Sequence, residues 1–107
     1  MRSPQRAENG SIVFYCQIKE DMELELLRAT DIVSDTRMAV EARKAAAGEV
    51  RGLIDFQCIL RTLQLRKESR CDEYGAIFQG IPALGFSTYG EAYVGHMNQT
   101  STMLLFR

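Results

Sequence analysis

Apolar side chains recur at every second position over Ile12, Phe14, Cys16 and Ile18, a period that predicts a strand. Val13 and Tyr15 make its second face apolar too, as in a central strand. Residues 1–9 ahead of it (MRSPQRAEN) form a polar leader, expected to fray. Lys19-Glu20-Asp21 reads as a turn. Met22, Leu24 and Leu26 then alternate with Glu23 and Glu25, a strand with one wet face and the expected hairpin partner of the first.

The pattern changes after Arg28. Thr30-Asp31 offers a helix N-cap, and Ser34 and Asp35 complement the dipole of a first turn. The alanine-rich run to Ala47 has high helix propensity, and Gly48 supplies the stop, so residues 31–47 are the longest predicted helix. Its small-residue side (Met38, Ala39, Ala42, Ala45, Ala46) is the expected packing face, with contact to a partner helix as the alternative. Leu53, Ile54, Phe56 and Cys58 mark a third strand, with Asp55 and Gln57 as polar exceptions inside it. Ile59, Leu60, Leu63 and Lys67 suit a short helix. Cys71, Tyr74, Ile77 and Phe78 share one face of another helical piece, broken by Gly80 and Pro82. Ala83–Ser87 and Thr100–Phe106 complete the strands. The order β-β-α-β-α-α-β-β predicts an α+β fold in two layers, with about five strands in a mixed, mostly antiparallel sheet and helices mainly on one face.

Between the last two strands lies the densest chemistry of the chain. Gly85 to Thr100 holds three glycines, aromatics, a carboxylate, the only histidine and an amide pair. A loop so rich in hydrogen-bonding groups, fixed at both ends by strands, is where a small polar ligand is expected to bind. The candidate ligand-binding residues are Thr88, Tyr89, Gly90, Glu91, His96, Asn98, Gln99 and Thr100, together with Cys58. Glu91 suits an amino group, and the amides supply both donors and acceptors. Each also has a plainer role, in turns, strand caps or bonds to nearby backbone. The glycines do not form a phosphate loop, because the Lys-Ser/Thr pattern is absent.

Charge narrows the function classes. Net charge is −1, with 13 basic residues spread among 14 acidic ones. No basic stripe marks a nucleic-acid surface, and no apolar run approaches a membrane span. No signal-peptide core is visible, so a cytoplasmic location is expected. The 3 cysteines, Cys16, Cys58 and Cys71, form neither a disulfide framework nor a zinc pattern. Cys16 and Cys58 are expected to be buried, reduced thiols. His96 lacks partners at ligand spacing, so neither a metal nor a cofactor is expected. Cys58 and His96 are a conceivable nucleophile–base pair with Glu91, the basis of an enzyme reading.

The segments GSIVFYCQI, MELELLRATDIV, LIDFQCILRTLQL, IFQGIPALGFSTYGEAY and GHMNQTSTMLLF resemble the C-terminal domain of FIST proteins, sensory modules of bacterial signal transduction. Phe-Ser-Thr-Tyr-Gly-Glu followed by Asn-Gln-Thr carries the resemblance most specifically, and FQCILR comes second. The resemblance covers residues 10–107. It implies a non-catalytic domain that senses small ligands such as amino acids. It also implies partners: a FIST N-terminal domain, and downstream modules such as chemotaxis-receptor or histidine-kinase outputs. Without the N-terminal domain the chain reads as a short protein or a fragment with uncovered surface, and a homodimer is expected. A protein-interaction module is the alternative to a sensor.

Overall fold

A computed structural model of the chain describes residues 1–92 and 95–107. The first two strands, β1 (Pro4–Glu8) and β2 (Ser11–Phe14), form an antiparallel hairpin of their own. Asn9 (φ 50°) and Gly10 (φ 76°) are its two-residue turn. Positive φ at both central residues is the turn geometry that matches strand twist, and Asn-Gly adopts it readily. The leader is therefore a strand and not a frayed end. β2 is not central: Ile12 is 63% exposed.

Residues 17–31 form neither strand nor helix, which corrects the strand expected at Met22–Leu26 and its pairing with Phe14. Met22, Leu24, Leu26 and Leu27 are exposed. Alternation says which side chains would share a face, but a strand also needs a neighbour to bond.

The helix α1 (Ile32–Ala47) follows, bounded as expected. Ser34 N donates to Asp31 Oδ1 at 2.7 Å, and Gly48 N donates to Lys44 O at 3.1 Å. Gly48 has φ 77°, a conformation costly for other residues. The packing face is Ile32, Val33, Thr36 and Val40. Met38, Ala39, Ala42, Ala45 and Ala46 are exposed, so the small-residue side faces outward.

The central sheet has the order β4-β3-β7. β3 (Gly52–Cys58) runs antiparallel to β7 (Ser101–Phe106) and parallel to β4 (Ala83–Thr88). The parallel pair requires a crossover. It is made by α2 (Ile59–Lys67), α3 (Cys71–Gly75) and a 3-10 turn (Ala76–Phe78). β5 (Glu91–Ala92) and β6 (His96–Met97) pair antiparallel in a third small sheet. The α+β class and the mixed sheet hold, with the strands divided among three sheets.

The core joins helices to one face of the central sheet. Ile32, Val33, Val40, Leu65, Tyr74 and Ile77 form it, with Phe78 and Met103 packed alongside. Arg70 ties the helices together, donating to the N-cap carboxylate of Asp31 at 2.5 Å and to Glu73 at 2.7 Å. Under the helices Asp55 is 7% exposed. It accepts from Tyr74 Oη at 3.0 Å and Ser101 Oγ at 2.6 Å, which satisfies both oxygens of a carboxylate that burial would otherwise penalise.

Candidate functional site

At the end of the central sheet the loop after β4 folds back over the start of α2. The α2 N-cap residue is Cys58, which is 1% exposed, and its backbone N–H donates to Thr100 O at 3.0 Å. Thr88 Oγ1 donates to Gln57 O at 3.4 Å. These bonds fix both ends of the polar loop to β3. A cavity of about 260 Å³ opens beside them, walled by Tyr15, Cys58, Ile59, Leu60, Leu63, Tyr89 and Asn98. Its lining is apolar apart from the buried Asn98 amide, the Cys58 thiol and two phenol rings, the mix expected of a small-molecule site.

Of the residues singled out from the sequence, the structure brings Cys58, Tyr89 and Asn98 together on this cavity. Tyr89 is 90% exposed and Asn98 is 2% exposed, so the loop contributes one wall residue at the surface and one in the interior. Thr88, Gly90, His96, Gln99 and Thr100 do not line it among the described residues. Gln99 is an exposed turn residue at φ 54°. The Glu91 backbone stands in β5 opposite Met97, while its side chain lies outside the described part.

Asn98 is held from behind by a thiol that the sequence did not assign to the site. Cys16 Sγ donates to Asn98 Oδ1 at 2.8 Å and lies 3.3 Å from His96 Nδ1. The thiol against His96 is therefore Cys16, not Cys58. Cys16 is only 6% exposed and its hydrogen is engaged by an amide oxygen, which suits a positioning role better than nucleophilic attack. The His96 ring rests on Gly90: a Cβ there would lie 1.8 Å from His96 Nε2. Arg2 Nη1 donates to His96 O at 3.0 Å, so the chain's first residues also brace the loop. Cys16 lies far along the chain from Asn98 and His96, and no local motif signals either contact.

A second, larger cleft of about 350 Å³ lies between α1 and β7, with Arg61 of α2 on its wall. It contains none of the loop residues. Nearby, burial pushes the Tyr74 phenol above its ordinary range, and the Asp55 carboxylate adds to the shift. Arg70 holds the Asp31 and Glu73 carboxyls below the usual carboxylate range, chiefly through direct hydrogen bonds. Among the described residues no group of three or more His, Cys, Asp or Glu is placed to hold a metal ion. No helix there is long and apolar enough to cross a membrane.

The model of the FIST C domain family matches residues 1–93. That span takes in the β1–β2 hairpin, Cys58 and the loop up to Glu91, and stops short of His96 and Asn98. No curated protein and no solved structure matches the chain.

Proposed function

The chain belongs to the FIST C domain family, a sensory type of signal-transduction domain, and from that premise we propose that it binds a small polar ligand such as an amino acid without transforming it. The cavity beside α2 is the proposed site. The observation that carries this reading is the convergence of Cys58, Tyr89 and Asn98 on one small cavity. Asn98 offers a buried amide; its Oδ1 accepts from Cys16, and among the described residues its N–H groups have no acceptor, which leaves them to donate to a ligand. Tyr89 adds an exposed phenol ring to the wall. Glu91, two residues further on at the start of β5, is the proposed partner of a ligand amino group. Gly90, His96, Gln99, Thr88 and Thr100 shape the loop that presents these groups.

Binding would select one arrangement of the Thr88–Thr100 loop and so shift how the domain meets a neighbour. The proposed neighbours are a FIST N-terminal domain, a downstream signalling module of a cytoplasmic bacterial pathway, or a second copy of the chain. The open face of the central sheet suits such a contact. It carries Leu84, Phe86, Leu104 and Phe106, all exposed.

Titration calorimetry with a panel of amino acids tests the reading. Tyr89→Ala removes a wall that is almost wholly solvent-exposed, so the fold should survive while binding weakens. Glu91→Gln should weaken an amine ligand by roughly 1.5–3 kcal/mol, the worth of a hydrogen bond to a charged group. Unchanged affinity in both variants would remove the loop from the site.

A further inference from the structure

The larger cleft carries a different chemistry. One wall is a helical stripe of α1, Asp35, Ala39 and Arg43 at four-residue spacing with Thr36 and Val40 beside it. The opposite wall is the inward side of β7, Ser101, Met103 and Leu105. Arg61 closes the end. Its Nη2 donates to Thr36 Oγ1 at 2.7 Å, and that hydroxyl in turn donates to Ile32 O at 2.7 Å. The guanidinium also sits 5.9 Å from the centre of the Tyr74 ring. It is thus held in one orientation before anything binds.

Arg61 is in no ion pair among the described residues. Its Nε is buried and has no acceptor there. The six ion pairs found there involve Arg6, Lys44, Arg51 and Arg70, and neither Arg61 nor Arg43. The nearest buried carboxylate, Asp55, takes its hydrogen bonds from Tyr74 and Ser101 instead. A guanidinium held by Thr36 on the wall of an open cleft is preorganised to donate hydrogen bonds to a carboxylate. Ala39, Val40, Met103 and Leu105 supply an apolar surface beside it. Asp35, already bonded to Thr30 Oγ1, adds negative charge to the same cleft and works against a doubly charged phosphate.

We propose that the cleft between α1 and β7 binds a small organic monocarboxylate with a short apolar tail, its head group held by Arg61. The site is separate from the cavity at Tyr89 and stands whether or not that cavity binds an amino acid. The test uses the full chain and sodium hexanoate, with hexylamine and inorganic phosphate as controls, read by titration calorimetry. Hexanoate should bind and the two controls should not. Arg61→Met should weaken hexanoate by about tenfold or more, since a charge-assisted hydrogen bond is lost. Ala39→Leu, an exposed helix position where leucine is well tolerated, should weaken it by filling the cleft. Tyr89→Ala should leave it unchanged. Circular dichroism checks that each variant is folded, and if Arg61→Met is not, Ala39→Leu decides. Absence of hexanoate binding, equal binding of hexylamine, wild-type affinity in either cleft variant, or loss of binding in Tyr89→Ala would each overturn the proposal.

Discussion

The two faces of the central sheet differ in what covers them. On one, Leu53, Asp55 and Met103 lie in register across β3 and β7 and are covered by helices. On the other, Ile54 lies between Leu84 and Leu104, and Phe56 beside Phe86, with rings crossing at 80° and 5.2 Å. The covered face holds a buried carboxylate with both oxygens satisfied. The second face is almost wholly apolar, yet Leu84 is 70% and Phe86 56% exposed. Strand periodicity makes both faces apolar alike, and only tertiary structure decides which one is covered. The lesson is that stability resides on the helical face, and that the open face is available for association.

The sharpest way to break this comparison is to truncate one residue on each face. Leu65→Ala, in the helical core, should cost about 2–5 kcal/mol in urea denaturation. Tyr74→Phe comes next. It deprives the buried Asp55 of one donor and should cost roughly 1.5–3 kcal/mol. Phe86→Ser on the open face should cost about 1 kcal/mol, little more than its ring pair with Phe56. If the proposed contact with a second copy uses this face, Phe86→Ser should also shift light scattering toward the 12.1 kDa species. A Phe86→Ser penalty as large as that of Leu65→Ala would show that the open face is as important to stability as the covered one.

The smallest effect expected is on pH dependence. Arg70 lowers the carboxyl pKa values of Asp31 and Glu73 relative to their ordinary values of 3.8 and 4.5. A lowered carboxyl pKa contributes stability above its unfolded value and loses it as pH falls. Stability should therefore decline below about pH 4.5, and Arg70→Met should flatten that decline. These groups are exposed, so the change is modest. A profile identical in wild type and Arg70→Met would show that the clamp between α1 and α3 contributes nothing.

Local signals made the helical half of the fold legible in the sequence. Asp31 and Gly48 bound α1 because capping is a local interaction, and the runs at Leu53 and Ile59 gave β3 and α2. The hairpin at Asn9-Gly10 was equally local, but its first strand, Pro-Gln-Arg-Ala-Glu, has no apolar alternation to reveal it. At Met22–Leu26 the alternation is present and the neighbouring strand is not. The parallel pairing of β3 with β4 depends on a crossover that no single window of sequence contains. The density of the polar loop pointed to Tyr89 and Asn98, while Cys58 lies outside that loop, at the end of β3. Tyr15 and Leu63, which complete the cavity, are ordinary apolar residues there. Asp55 was visible only as a polar exception inside an apolar strand; that it is buried, with Tyr74 and Ser101 as partners, was not.

The proposed ligand site is tested most directly by following backbone amide resonances of the chain while each amino acid of a panel is added. The account predicts that at least one of them shifts the amides of Tyr15, Cys58, Leu63, Tyr89 and Asn98 together, saturably, and that Tyr89→Ala weakens the response. A panel in which no amino acid moves these amides would contradict it.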